Sequence, residues 1–452
     1  MGLFWNGRTL VPGLEIRTEQ FVSPVSSSCS LPTLIQVFVI AVQASLRKAC
    51  TNGHDDCLVG HCFLLSLSLC YTIAIHGGFS MSEQTIILGD KHCQKLKSIL
   101  HQHSAKRFLL VCGSSFQTLP IAHAFESLGI PYSIFNSFGS NPKYEDIVKG
   151  VDFFRSESCD FIVAVGGGSC LDVAKCIKLF SSLEPGSMYL KQEYKENSIP
   201  LLAIPTTAGT GSESTRYAII YYRGEKHSVV HESLVPAYAI LEPSVLEGLP
   251  LYQKKCTMLD AFCQAVESWW SLSATDESKA YAKKAVVLFL NHYAEFLANY
   301  SEGNEGMLLA SNWAGQAINI TQTTAPHAMS YKLSSLFSLP HGHAVALCFP
   351  VVWQYMLENL EASNKDRGEK YFEHLFNEIA STMGFSYPLQ AITWFEKLLE
   401  NLGITPPIDP DSSVLPKLVK SVNLDRLKNS PVGMDSETLE RLYRQVLKMQ
   451  DS

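Results

Sequence analysis

Between Lys106 and Ser214 the chain repeats one unit: a short apolar run, a loop of small residues, then a stretch with helical spacing. KRFLLVCGSS (Lys106–Ser115), PYSIFNSF, CDFIVAVGGGS (Cys159–Ser169) and IPLLAIPTTAGTGSES (Ile199–Ser214) each begin as a strand. Runs this uniformly apolar belong to strands covered on both faces. The stretches after them, LPIAHAFESLGI (Leu119–Ile130), YEDIVKGVDFFRSES and LDVAKCIKLFSS, carry helical periodicity. Strands alternating with helices imply a parallel sheet with helices on both faces, because a parallel pair needs a crossover connection. After Pro250 the pattern changes, and Asp260–Ser271, Glu277–Tyr300, Gly306–Ile320 and Tyr371–Met383 read as successive helices. The expected fold is α/β followed by all-α, with a parallel-sheet domain over residues 81–248 and an all-helical domain over 249–452.

Of the 452 residues, 46% are hydrophobic and 17% charged, enough apolar surface for a large core. The net charge of −7 argues against a nucleic-acid partner, whose footprint is a basic surface. Thirteen cysteines in a chain this long, with no CxxC pair, are neither a disulfide framework nor a zinc-finger signature. A reducing, cytoplasmic setting is expected.

Residues 1–80 differ from the rest. They hold eight charged side chains and five of the cysteines, with apolar runs at Leu34–Ala44 and Cys57–Ile75. The second run approaches the length of a membrane span. However, it contains His61, two serines and three cysteines, and no Lys or Arg cluster flanks it. The favoured reading is an upstream extension without a fold of its own, ahead of a fresh polar start at Met81 that leads into a first strand. A membrane is therefore not an expected partner.

Gly166, Gly167, Gly168 and Ser169 lie where a strand meets a helix. Backbone N–H groups free of Cβ atoms at a helix N-terminus make an anion site, and a dinucleotide diphosphate fits it. The alternative is a plain tight turn. The second loop, TTAGTGSE (Thr206–Glu213), follows another parallel strand, and ligands of such sheets bind beyond the strands' carboxyl ends. Further on, Asp260, His327 and His341 offer one carboxylate and two imidazoles, a donor set suited to Zn²⁺ or Fe²⁺ with one position open. Gln264 stands one helical turn after Asp260. Two alternatives stay open at this level: Asp260 as a helix cap, and His343 as the ligand in place of His341.

Taken in order, GGGSCLDVAK, PTTAGTGSE, LDAFCQAVES and PHAMSYKLSSLFSLPHGHA resemble the iron-containing (group III) alcohol dehydrogenases from about Glu83 onward. The resemblance implies an N-terminal dinucleotide-binding domain, a helical metal-binding domain, an active site in the cleft between them, and NAD(P)-dependent interconversion of a carbonyl compound with an alcohol. By position it assigns Gly167, Gly168 and Ser169 to the pyrophosphate and puts Asn141 near the cofactor. It lines the nucleotide cleft with Thr206, Thr207, Thr210 and Thr215, and sets Lys226 beside the nicotinamide ribose. It makes Asp260, His327 and His341 metal ligands, the two histidines having the family's fourteen-residue separation.

Three departures carry information. Gln264 stands where the family usually has a fourth, histidine ligand, so both Fe²⁺ and Zn²⁺ remain candidates. Tyr331 replaces a second histidine of the HAMAH pattern, which alters any proton relay. Gly113 stands where an acidic residue often favours NAD, so NADP becomes acceptable beside NAD.

The expected substrate is a small anionic aldehyde held by Arg216 and Lys332. Its alkoxide would take a proton from water, Tyr331 or His343. The wording of the motifs most resembles phosphonoacetaldehyde reductases, which make 2-hydroxyethylphosphonate, and a homodimer is expected. Competing expectations are another short-chain or hydroxy-acid alcohol dehydrogenase, a dehydroquinate-synthase-like lyase, and a non-catalytic binding protein with a decayed site.

Overall fold

The computed structural model describes residues 84–408 and 410–449. The expectations for residues 1–80 fall outside the described residues. In chain order the first part contains β1 (Thr85–Leu88), α1 (Gln94–Gln102), β2 (Phe108–Cys112), α2 (Ala122–Glu126), β3 (Tyr132–Phe135), α3 (Tyr144–Ser156), β4 (Phe161–Gly166), α4 (Gly168–Phe180), β5 (Leu201–Pro205), β6 (Tyr217–Tyr222), β7 (Glu225–Val230) and β8 (Tyr238–Leu241). There follow α5 (Leu251–Trp270), α6 (Asp276–Leu297), α7 (Ser301–Thr321), α8 (Ala325–Phe337), α9 (His341–Glu358), α10 (Glu369–Thr382), α11 (Pro388–Leu402), α12 (Val414–Lys420), α13 (Leu424–Leu427) and α14 (Ser436–Val446).

Six strands form one parallel sheet in the order β1-β8-β5-β4-β2-β3. Every residue of β2, β4 and β5 is buried. Side chains alternate across β2: Phe108, Leu110 and Cys112 join the core that runs on into the helices after residue 250, while Leu109 and Val111 pack under α3 and α4. This two-sided burial is why these strands carry no polar position.

The chain leaves β2 for β3 on one side and returns as β4 on the other. The β2–β4 pair is therefore the switch point of the sheet, where a crevice opens beyond the carboxyl ends. Register sets the loops there. Gly166 pairs with Pro205, and the Thr206 amide donates to the Gly166 carbonyl at 3.0 Å, so the glycine turn and the threonine loop meet.

Four differences from the sequence reading have local causes. β6 and β7 form an antiparallel hairpin closed by Arg223 and Gly224, both at positive φ (53° and 80°). Its strands lack a clean alternation and its turn is not Asn-Gly, so no strand was expected there. β8 is only four residues long. The helix expected over Leu119–Ile130 contracts to α2. Finally, α5 starts at Leu251 rather than Asp260, because its polar first turns mask the helical period, and Asp260 is thus mid-helix and not a cap.

Candidate active site

Asp260, Gln264 and Glu267 lie at i, i+4 and i+7 of α5, one face of a helix whose second half is entirely buried. His327 sits in the first turn of α8 and His341 opens α9. Gly342 allows α9 to meet α5: a Cβ there would lie 1.9 Å from the Cys256 carbonyl oxygen and 2.9 Å from the Asp260 Cβ.

Three helices thus converge on one point. His327 Nε2 is 3.3 Å and His341 Nε2 3.8 Å from Asp260 Oδ1, and one ligand atom from each residue lies within 4.8 Å of the others. Glu267, wholly buried, accepts from His327 Nδ1 with one oxygen. With the other it accepts from the Thr324 amide (2.8 Å) and hydroxyl (2.9 Å) at the start of α8. Glu267 therefore caps α8, and it fixes the His327 tautomer so that the Nε2 lone pair faces Asp260.

Asp260 Oδ1, Gln264 Oε1 and His327 Nε2 are buried without hydrogen-bond partners. When His327 is neutral with its Nδ1 proton on Glu267, all three are acceptors, and such a cluster is costly unless a cation completes it. Without a metal, a proton on His327 Nε2 facing Asp260 Oδ1 at 3.3 Å takes the cation's place. Titration follows the same logic. Burial opposes protonation of His327, yet Glu267 and Asp260 raise it to about 9. Burial raises Asp260, but His341, His327 and Gln264 bring it below the ordinary carboxylate range. Removal from water, reinforced by His327, Lys226 and Arg426, holds His341 below the ordinary imidazole range against the pull of Asp260, so it stays a neutral ligand. The donor set fits a divalent cation. The His341 side chain keeps 38% of its surface open, which leaves the site accessible from one side.

On the sheet side, Gly167 caps α4 with no side chain on its first N–H groups and no acid in the first turn. A Cβ on Gly168 would come within 2.9 Å of Thr210, and one on Gly167 within 3.2 Å of Thr207, so these glycines are what lets the two loops touch. Ser169 donates to the Ser140 carbonyl, next to exposed Asn141. Gly113, just past β2, has open space where a side chain would be. The free helix N-terminus and open crevice fit a dinucleotide.

Beneath the loops, Lys175 Nζ donates to Ser212 Oγ (3.0 Å) and to the Thr215 and Tyr217 carbonyls (2.8 and 2.9 Å). Asp172 accepts from Ser212 Oγ (2.9 Å) and the Ile219 amide (3.0 Å). The sequence reading assigned neither residue, although both stand in the GGGSCLDVAK motif.

Three expectations are corrected by where the side chains lie. Thr215 is buried, and its hydroxyl accepts from Lys175 at 3.1 Å instead of lining a cleft. Arg216 is ion-paired with Glu232 and held by the Tyr217 hydroxyl, not displayed to a ligand. His343 is fixed at both nitrogens, by the Tyr252 hydroxyl (2.8 Å) and the Thr405 carbonyl (2.9 Å), so it is neither the metal ligand nor free to donate a proton. Lys332, half-buried, follows His327 by five residues, which sets its Cα about 140° around α8 from that of His327 and leaves its expected role untouched.

The cations that do approach are different. Lys226, delivered by β7, lies 3.3 Å from the Tyr331 ring centroid, and Arg426, on α13, lies 5.4 Å from it. Tyr331 stacks on His341 with centroids 5.5 Å apart and planes 2° from parallel. Arg426 and Glu267 were both missed. The i+7 spacing from Asp260 was a usable signal for Glu267, but nothing in the sequence marks Arg426.

This architecture pairs a candidate divalent-metal site with a candidate dinucleotide crevice. Residues 83–243 match the family model described as "Iron-containing alcohol dehydrogenase", and residues 255–446 match "Fe-containing alcohol dehydrogenase family, C-terminal". The chain belongs to the iron-containing alcohol dehydrogenase family, whose chemistry uses NAD(H) and a divalent metal.

Among its relatives, the 1,3-propanediol dehydrogenase of Klebsiella pneumoniae is 32% identical over 62% of this chain and 73% of its own length. The phosphonoacetaldehyde reductase of Streptomyces viridochromogenes is 28% identical over 66% and 79%. The match to the probable alcohol dehydrogenase EutG of Salmonella typhimurium, 32% identical, spans 52% of this chain and 61% of the relative. A solved iron-containing alcohol dehydrogenase, 28% identical, superposes with a TM-score of 0.70 over 82% of this chain and 99% of its own. Among the described residues no helix is long and apolar enough to cross a membrane.

Proposed function

We propose that this chain is a divalent-metal-dependent, NAD(P)H-linked oxidoreductase that reduces a small anionic aldehyde to its alcohol, with phosphonoacetaldehyde as the leading candidate. The observation that carries the reading is the convergence of Asp260, His327 and His341, one ligand atom from each within 4.8 Å of the others, at a site open on the His341 side.

When bound there, the metal supplies Lewis-acid polarisation of a carbonyl. Asp260, His327 and His341 would hold it, with Gln264 as a weak fourth donor, and Glu267 keeps His327 in the binding tautomer. The glycine turn and the N-terminus of α4 would hold the cofactor diphosphate, and Thr206, Thr207 and Thr210 would pack along it. The Asp172–Lys175 network keeps the two loops together, so the cofactor meets a preorganised crevice. Tyr331, whose ring stacks on His341, is the proposed proton donor in place of the family's second histidine. Burial raises Tyr331 above the ordinary phenol range, with Arg426 opposing, so it is protonated near neutral pH. The anionic tail is supported by the resemblance to the phosphonoacetaldehyde reductase.

The test is a panel of phosphonoacetaldehyde, succinic semialdehyde, glycolaldehyde and propanal with NADH and NADPH, with and without Fe²⁺ or Zn²⁺. Metal-dependent oxidation of reduced cofactor by the anionic members is expected. No cofactor oxidation by any aldehyde in the presence of either metal contradicts the proposal.

Two substitutions examine the ligand set. Glu267→Gln removes the charge that orients His327, and metal affinity should fall roughly 10–100-fold, read by competition with a chelator. An unchanged affinity would show that Glu267 only caps α8. Gln264→His restores an imidazole donor and should raise affinity for Zn²⁺ at least about tenfold. A decrease would mean that position 264 does not face the ion.

A further inference from the structure

The guanidinium of Arg426 is half-buried and, among the described residues, gives one hydrogen bond, to the hydroxyl of buried Thr323. Among the described residues no carboxylate pairs with it. Arginines in such positions normally have a carboxylate partner, because a planar fork of five donors is costly to leave unmatched away from bulk water. Lys226 lies on the same tyrosine ring, again without a carboxylate in salt-bridge contact among the described residues. The two cations feel each other: burial lowers Lys226 below the ordinary lysine range, and Arg426 lowers it further. Lys226 also feels the carboxylates of Asp172 and Asp260, so Arg426, with no carboxylate in contact among the described side chains, is the group left to receive an anion. That group is one aromatic ring away from His341.

We infer that Arg426 is the specificity-determining residue for the substrate: it receives the phosphonate, sulfonate or carboxylate tail of a short aldehyde whose carbonyl faces the Asp260–His327–His341 cluster. The inference rests on the anionic-aldehyde reading above and replaces Arg216 and Lys332 as the recognition groups. Tyr331 sets the spacing. Its ring lies 5.4 Å from the Arg426 guanidinium carbon and 5.5 Å from the His341 ring, which keeps the proposed anion site close to the cluster.

The experiment compares wild type, Arg426→Gln and Arg426→Lys with cofactor and metal bound. Each is assayed on phosphonoacetaldehyde and on propanal, and each is titrated calorimetrically with ethylphosphonate, a non-reacting tail. Losing a charge-assisted, two-pronged contact should raise KM for phosphonoacetaldehyde roughly 30-fold more than for propanal, with a similar loss of ethylphosphonate affinity. Arg426→Lys should recover part of both, because it keeps the charge and loses the fork. Equal effects of Arg426→Gln on both aldehydes would overturn the inference. So would an unchanged ethylphosphonate affinity, or the loss of anion preference in Lys332→Gln but not in Arg426→Gln. The underlying reading fails in a different way, through a wild-type enzyme that shows no preference for the anionic aldehyde and does not bind ethylphosphonate.

Discussion

Replacing His327 by alanine should lower kcat by at least roughly a thousandfold, about 4 kcal/mol of transition-state stabilisation. Two losses combine. The site loses one of its three strong donors. Glu267 also loses the Nδ1 partner that holds one of its oxygens, which leaves a carboxylate oxygen buried and unsatisfied, at a cost of about 1–3 kcal/mol in stability. The glycine turn and the threonine loop are positioned by Lys175 and Asp172 and do not involve His327. NAD(P)H should therefore still bind, as cofactor fluorescence would report, while bound metal falls to background. Near-normal turnover in this variant would remove His327 from the ligand set.

Gly342→Ala should cost about 3 kcal/mol of stability and empty the metal site together. The sign is set by a competition. In a helix, alanine is favoured over glycine by about 1 kcal/mol, so with room available the change would stabilise the protein. There is no room: the added carbon would meet the Cys256 carbonyl oxygen of α5 at 1.9 Å, and backbone cannot step aside as a side-chain tip can. Helix α9 must therefore shift away from α5, and His341, the residue before, moves with it from Asp260. The expected result is a thermal midpoint several degrees lower together with weakened metal binding. A variant that melts at or above the wild-type temperature would mean that the α5–α9 contact is looser than described.

How much of this is legible in the sequence depends on whether a feature is local. β2, β4 and β5 were readable because double-sided burial forces an unbroken apolar run, and the glycine turn because it follows such a run. Asp260, His327 and His341 were nameable from four ordered motifs, and the fold brings them within 4.8 Å. The hairpin that delivers Lys226 was not readable, because β7 shows polar residues over most of its length and its turn relies on Arg223 at positive φ. Charge was the least readable feature. Arg216 and Lys332 are close in sequence to the motifs, but Glu232 neutralises the first, and the second stands about 140° around α8 from His327. Arg426 comes nearly a hundred residues after His327, on a four-residue helix with no period to read, and only tertiary packing carries it to Tyr331. Proximity in sequence to a motif is a weak guide to which cation reaches a site.

The central claim is that a carboxylate from α5 and imidazoles from α8 and α9 share one divalent cation beside the crevice at the switch point of the sheet. The most direct measurement is anomalous diffraction from crystals of the protein grown with Zn²⁺, recorded on both sides of the zinc absorption edge. The account predicts one strong peak within coordination distance of Asp260, His327 and His341, about 2.0–2.2 Å from each donor atom. An anomalous map with no peak at that point, or with zinc bound only elsewhere on the molecule, would contradict it.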